Sequence, residues 1–163
     1  MELIKHFEIY IAAQRATGMQ VAFFGAVLLL AAILLHFSQL NPITQGLRNS
    51  FIVISILLMA SGIGFLANQK KLWTTNTEVY QSNKQVFKAQ EITRMQKVNK
   101  SVPAIILGLS IALIILILAQ VFLIHPPFWK GLTFGVLIYF LGLLITESIS
   151  YLSVKSYLQA LLN

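Results

Sequence analysis

The sequence has no cysteine, and only 10% of its 163 residues are charged. Without cysteine, the chain has no disulfide, no thiol redox chemistry and no cysteine ligand for a metal. Soluble domains contain about 25% charged residues on average, so this composition excludes a water-soluble globular protein. The composition is that of a protein whose surroundings are largely lipid.

Acidic and metal-binding side chains are also scarce. All five acidic residues are glutamates, and the three histidines, His6, His36 and His125, are scattered. His36 and His125 end two apolar segments on the same side, but two histidines without a carboxylate make a poor metal site. Catalysis needs neighbouring groups within hydrogen-bond reach, and the sequence offers no such set. We therefore predict no enzymatic activity, no cofactor and no metal site.

Four long apolar segments dominate what the chain does contain. They cover residues 19–37, 51–67, 102–124 and 129–150, and each is close to the about 20 residues that cross a membrane as a helix. Four spans and their connections leave no room for a soluble domain of about 50 residues. The sequence predicts an all-α integral membrane protein with one four-span domain over residues 1–163.

Turn signals predict how the spans pair. Asn41-Pro42 is a turn-forming pair, and no helix continues through Pro126-Pro127. The first span therefore pairs with the second, and the third with the fourth, as two hairpins. The apolar run from Val21 to Leu35 is long for a signal peptide and no small-residue cleavage site follows it, so we expect a retained signal anchor.

Residues 2–17 have the pattern of an amphipathic helix. Such a helix lies in the membrane interface or runs straight into the first span, and Gly18 is the predicted bend between the two. The apolar stripe consists of Leu3, Ile4, Phe7 and Ile11.

The placement of basic residues predicts the orientation. The net charge is +7, but the lysines and arginines lie at segment ends and in one loop, which argues against nucleic-acid binding. The two short connections hold only Arg48 and Lys130 of the twelve. By the positive-inside rule, the central loop and both termini are cytoplasmic. We expect a plasma (inner) membrane location, with anionic lipid at the cytoplasmic face.

The central loop, residues 68–101, has the pattern of a helix. Thr75-x-x-Glu78 has the form of a capping box, and Ser101 followed by Pro103 marks the start of the third span. Residues 76–99 contain no proline or glycine, which predicts an uninterrupted helix of about 35 Å.

Apolar residues recur every seven positions in this loop, as in a short coiled-coil seam. We predict that the loop helix docks a cytoplasmic protein or a sister subunit of a homo-oligomer. In the alternative, it lies along lipid headgroups, with its lysines toward anionic lipid. The candidate partner-binding residues are Trp73, Tyr80, Phe87, Lys84, Lys88 and Arg94.

Glu147 is the only one of the five glutamates that lies within or beside a predicted span. It is a functional candidate because burying its charge costs about 3 kcal/mol on insertion scales. Its position in the fourth span places it near the inner interface. Arg15, Lys70 and Lys71 should lie at a similar level, so the first interpretation is an ion pair there. In the alternative, Glu147 and Ser150, one turn along, form the inner mouth of a polar pathway.

Small residues at helical spacing predict close helix packing. Gly131-x-x-x-Gly135 opens the fourth span and is the candidate packing motif. It also leaves self-association through that span open. Further small residues in the spans are Gly18, Ala22, Ala26, Ala60, Gly64, Gly108 and Ala112.

The known four-span families give little guidance. Small multidrug antiporters carry an essential glutamate in their first span, where this chain has no acidic residue, and four-span thiol oxidoreductases need the cysteines that are absent. The length and layout resemble those of small immunity, exclusion and phage-defence membrane proteins, without a shared motif.

Three functional hypotheses follow from the sequence. The first is a non-enzymatic membrane anchor or scaffold subunit, oligomeric, that engages a cytoplasmic partner through its basic loop helix. The second is a small oligomeric ion channel or proton-linked transporter with Glu147 at its inner mouth. The third is an immunity, exclusion or phage-defence protein.

Overall fold

The structure, a computed structural model, describes residues 2–38 and 41–163, and its secondary structure is helical. The four helices are α1 (Glu2–His36), α2 (Pro42–Ser82), α3 (Lys84–Phe122) and α4 (Pro127–Leu162). All four are long and apolar enough to cross a membrane. The predicted all-α fold with four candidate transmembrane helices is therefore confirmed.

Each helix is much longer than a membrane is thick. The helices have 35 to 41 residues, which is about 52 to 62 Å, against about 30 Å for the hydrocarbon core of a bilayer. The bundle has two ends. One holds Asn83, the start of α1 and the end of α4, and we call it the Asn83 end. We call the opposite end the Pro126 end. Because the apolar segments lie toward the Pro126 end, the excess length extends beyond them at the Asn83 end.

The connection between α1 and α2 is shorter than the sequence predicted. Residues 42–50, expected in a loop, form the first turns of α2. The Asn41 side chain accepts a hydrogen bond of 2.9 Å from the Thr44 N–H, and Pro42 occupies the first turn, where its missing N–H costs nothing. Asn41-Pro42 was correctly predicted to separate the first two helices, but the same pair also forms the start of α2.

The prediction of an uninterrupted helix over 76–99 is wrong, because Asn83 separates α2 from α3. Asn83 has an extended backbone, and its side chain accepts from the N–H groups of Gln85 and Val86 at 3.0 and 3.1 Å. An asparagine side chain that takes these free N–H groups favours a new helix start over continuation. The expected helix starts are not used: Thr75 lies inside α2 and Pro103 inside α3.

Glycines bring α1 and α2 together. Gly62 of α2 lies against the carbonyl oxygen of Gly18 and the backbone of Ala22, and Gly25 lies against the carbonyl oxygen of Ser55. The helices can approach this closely because no side chain separates them. The predicted bend at Gly18 is absent, since α1 is continuous and Gly18 is buried.

A second glycine contact joins α2 and α4 at the Pro126 end. A Cβ atom on Gly131 would overlap the carbonyl oxygen of Ile43, and one on Gly46 would overlap that of Phe128. Gly135 lies in the same contact, against the Ser50 side chain. Gly131 and Gly135 therefore pack within the chain. Gly64 and Gly108, expected in packing surfaces, have no neighbouring atom within 4 Å of an added Cβ.

The buried side chains form two clusters. One, between α1, α2 and α4, contains Leu28, Phe51, Ile54 and Leu58. The other lies at the Asn83 end and draws on all four helices; it contains Phe7, Tyr10, Ile11, Phe87, Met95, Val154, Tyr157 and Leu161. Between the described parts of α1 and α3 there is no close backbone approach. Large side chains in the second cluster fill that gap.

The glycine contact between α2 and α4 predicts a matched pair of stability effects. Gly131→Ala forces a methyl group onto backbone and should destabilise the bundle by about 1–3 kcal/mol. Gly108→Ala adds the same methyl group to a helix in open space and should be neutral or stabilising by up to about 1 kcal/mol. Thermal unfolding midpoints in detergent micelles measure both, and equal shifts would contradict the contact.

Candidate functional site

An aromatic core occupies the Asn83 end of the bundle. Phe7 is fully buried, and its ring centroid lies 5.6 Å from that of Trp73, 5.5 Å from Phe87 and 6.0 Å from Tyr157. The predicted amphipathic stripe of residues 2–17 thus packs on the apolar stripe of the central segment. These rings come from all four helices, so they hold the Asn83 end together.

This core corrects the predicted docking surface. Phe87 is 0% exposed, and Trp73 and Tyr80 are half-buried against the same cluster. Phe87 is therefore part of the internal core and not on a free surface, while Trp73 and Tyr80 pack on that core with part of each ring exposed. Lys84 remains exposed beside the Tyr80 ring, and Lys88 is half-buried.

A charged cluster lies directly beside the aromatic core. Glu91 is 1% exposed, and both of its carboxylate oxygens accept hydrogen bonds from Arg94, at 2.9 and 2.7 Å. The Tyr157 hydroxyl donates to the same carboxylate at 3.2 Å. The Arg94 guanidinium lies over the Tyr10 ring, 5.5 Å from its centroid. A buried carboxylate is tolerated here because a forked pair and a hydroxyl satisfy its oxygens.

The environment shifts the ionisation of this cluster. Burial raises the pKa of Tyr157 above its ordinary value, and the charge of Glu91 and the hydrogen bond to it raise it further. Burial likewise raises the pKa of Tyr10, partly offset by Arg94. Burial would lower the pKa of Arg94, but the hydrogen bonds and charge of Glu91 outweigh it, and the net shift is upward. Arg94 is therefore a permanent cation held by Glu91.

A cavity of about 460 Å³ lies between the helices on the membrane-span side of this cluster, and all four helices line it. At this level the helices carry small residues instead of large rings. The space between α1 and α3 is therefore not filled by the side chains of Thr17 and Gly18 on α1 or of Ser61 and Gly62 on α2. Its volume is within the range of about 300–1,000 Å³ that is typical of small-molecule sites.

The cavity wall carries several polar groups. Gln14 exchanges hydrogen bonds with Ser150 and donates to Ser153 at 2.9 Å. Gln69 is 5% exposed, and its Oε1 atom has no hydrogen-bond partner. Buried polar atoms are nearly always paired, so an unpaired acceptor on a cavity wall marks a place for a donor.

Glu147 lines the same cavity and is half-buried. The prediction of an ion pair between Glu147 and Arg15, Lys70 or Lys71 is wrong: in the part of the chain that the structure describes, the Glu91–Arg94 pair is the one salt bridge. Glu147 and Ser150 both line the cavity, and their role as the inner mouth of a polar pathway stays a prediction. The Glu147 side chain therefore lines a cavity without forming a salt bridge, although Arg94 lines the same cavity.

Sequence reasoning missed much of this site. Glu91 and Arg94 stand three positions apart in a helix, a spacing that brings side chains together, and this signal could have found the pair. Nothing local in the sequence distinguishes Gln14 or Gln69 from exposed glutamines. At the Pro126 end, His36 lies 3.2 Å from the Arg48 guanidinium, and no group of three metal-ligating residues occurs within residues 2–38 and 41–163.

Comparisons with known proteins give no relative. A scan against protein-family models finds no match, and neither a search of curated proteins nor one of solved structures finds a similar chain.

The charged cluster predicts a large effect from one substitution. Arg94→Met leaves the Glu91 carboxylate buried without its cation and should destabilise the protein by about 3 kcal/mol. Lys97→Met, on an exposed lysine of the same helix, is the matched control and should change stability by less than about 0.5 kcal/mol. Thermal unfolding in detergent compares the two, and similar losses would contradict the role of the pair.

The raised tyrosine pKa values predict a loss of stability in alkali. Because the folded-state pKa of Tyr157 lies above the unfolded value of 10.0, its contribution is complete below pH 10 and is lost as the pH rises above it. Thermal midpoints measured from pH 8 to 11.5 should fall less steeply for Tyr157→Phe than for Tyr151→Phe. Equal slopes would show that Tyr157 does not contribute to this loss.

Proposed function

We propose that this protein is a small, non-enzymatic membrane transporter or channel in which Glu147 is the ion- or proton-binding group. The observation that supports this is an unpaired carboxylate on a cavity reached by all four helices. A carboxylate in a span is costly unless it has a partner or a role. Within residues 2–38 and 41–163 no lysine or arginine forms a salt bridge with Glu147, and a transported proton or cation would supply that partner.

The groups around the cavity are compatible with proton coupling at Glu147. Besides Glu147, the charged or titratable side chains that line it are Tyr10 on α1, Arg94 on α3 and Tyr139 on α4, while α2 contributes none. Arg94 is a permanent cation held by Glu91, and burial raises the pKa of Tyr10. Glu147 is thus the lining group whose charge can change during a transport cycle.

The proposed orientation places both termini and Asn83 in the cytoplasm, with α1 and α2, and α3 and α4, as transmembrane hairpins in the plasma (inner) membrane. Basic residues support it, because the lysines and arginines concentrate at the Asn83 end. The cavity then lies near the cytoplasmic face, with the glycine contact of α2 and α4 on the outer side. Much of the α3 apolar face is uncovered in the single chain and lies against lipid or a second copy.

A second candidate function is the anchor or scaffold subunit. The exposed lysines at the Asn83 end favour it, since they form a basic surface that would attract an acidic partner or anionic lipid. Because the aromatic rings are internal, docking would be electrostatic and sensitive to salt. The lysines concerned are Lys5, Lys70, Lys71, Lys84, Lys97, Lys100 and Lys155.

Reconstitution in liposomes tests the transport proposal. Purified protein should move protons or a solute across liposomes that contain a pH-sensitive dye, under an imposed potential and with a panel of Na⁺, K⁺, primary amines and organic anions. Glu147→Gln should reduce this flux to the level of empty liposomes, because the amide cannot exchange a proton. Glu78→Gln, on an exposed acidic residue of α2, should keep wild-type flux.

Two results would contradict the proposal. The first is wild-type protein that moves nothing in the panel faster than empty liposomes do. The second is equal flux in wild type and a folded Glu147→Gln variant. Either result, combined with capture of an acidic protein or anionic vesicles that 0.5 M salt releases, would support the scaffold function instead.

A further inference from the structure

We infer that the cavity binds a protonated amine with an apolar body. This rests on the proposed function in so far as Glu147 is its binding group, and it names the class of solute that the site takes. Three features of the cavity carry it: two unpaired acceptors, a neutralised arginine and apolar walls.

Two of the polar groups that line the cavity are acceptors without a partner. Glu147 forms no hydrogen bond or ion pair within residues 2–38 and 41–163, and the Gln69 Oε1 atom is buried without a partner. The other polar pair, Gln14 and Ser150, is satisfied internally. A ligand that completes this site must donate hydrogen bonds, and an ammonium group has up to three donors and no acceptor.

Arg94 lines the cavity but does not neutralise Glu147. Its guanidinium is held by both carboxylate oxygens of Glu91 and lies over the Tyr10 ring. The pair of Arg94 and Glu91 carries no net charge, so Glu147 gives the cavity its net negative charge. This charge favours a cationic group at Glu147 over a carboxylate or a phosphate at the same position.

The remaining walls select an apolar body. Val21, Phe65, Val98, Val102 and Leu143 line the cavity, and Tyr10 and Tyr139 add aromatic rings. A cavity of about 460 Å³ excludes a folded peptide but accommodates a small aromatic amine. Aromatic rings also stabilise a nearby ammonium through cation–π interaction. A hydrated Na⁺ or K⁺ ion would make no apolar contact with these walls.

Equilibrium dialysis against protein in phosphatidylglycerol nanodiscs tests the inference. The probe is 1-naphthylmethylamine, its uncharged isostere is 1-naphthylmethanol, and empty nanodiscs correct for partition into lipid. We expect saturable binding of the amine, at one site per chain, and none of the alcohol. Glu147→Gln should weaken amine binding by about tenfold or more, the usual effect of losing a charged hydrogen-bond partner.

Two further variants keep the test valid if Glu147→Gln does not fold. Gln69→Met removes the second acceptor at similar volume and should weaken binding by about three- to tenfold. Glu78→Gln should leave binding unchanged. Circular dichroism and thermal unfolding verify that each variant is folded before it is dialysed.

The amine can be a free solute or the headgroup of phosphatidylethanolamine. Repeating the dialysis in nanodiscs that contain this lipid distinguishes the two: competition assigns the site to the headgroup, and unchanged affinity assigns it to a free amine. No saturable amine binding, equal binding of amine and alcohol, or unchanged binding in both cavity variants would overturn the inference. Amine binding without flux in liposomes would instead overturn the transport proposal alone.

Discussion

The close contact of α2 and α4 at the Pro126 end constrains the rest of the bundle. Backbone meets backbone at Gly46 and Gly131, so these two helices form the short diagonal of the four-helix cross-section. With α2 and α4 this close, α1 and α3 lie on opposite sides and their backbones do not approach each other. The molecule must then fill the space between α1 and α3 with side chains, and it does so only where they are large.

The charged cluster at the Asn83 end depends on that same space. Tyr10 reaches across from α1 and Arg94 from α3, and they meet beside Glu91 and Tyr157. Each member satisfies another, which is why a carboxylate can be buried there at all. Next to this cluster the side chains become small, a cavity opens, and within residues 2–38 and 41–163 Glu147 has no salt-bridge partner. Glu91 thus has a structural role, and Glu147 is the glutamate for which we propose a ligand.

The sequence was sufficient for the fold class because apolar length is a local property. Four segments of suitable length predicted four helices, and turn residues marked the breaks between α1 and α2 and between α3 and α4. The break at Asn83 was missed because an asparagine without a neighbouring proline or glycine is a weak signal. The bend expected at Gly18 is absent because Gly18 serves a helix contact, where a small residue is needed for space and not for flexibility.

The site was harder to predict because its parts come from distant positions. The apolar stripe with Phe7 and the one with Phe87 were both visible in the sequence. Such a stripe predicts that one face of a helix is buried, but it does not identify the surface against which that face packs. The two stripes cover each other, which turned a predicted docking surface into a core. Likewise, the position of Glu147 near the end of the fourth apolar segment was visible in the sequence. That no lysine or arginine pairs with it within residues 2–38 and 41–163 depends on the packing of all four helices.

The core at the Asn83 end has a consequence for biosynthesis. It joins Phe7 of α1 to Tyr157 and Leu161 of α4, so it cannot close until α4 has been made. Contacts between residues so far apart in sequence form slowly. Trp73 and Phe87 can pack on Phe7 earlier, but the part of the core that α4 covers stays exposed on the nascent chain until α4 is in place. Cellular quality control could use this apolar surface to tell a chain that lacks α4 from one that contains it.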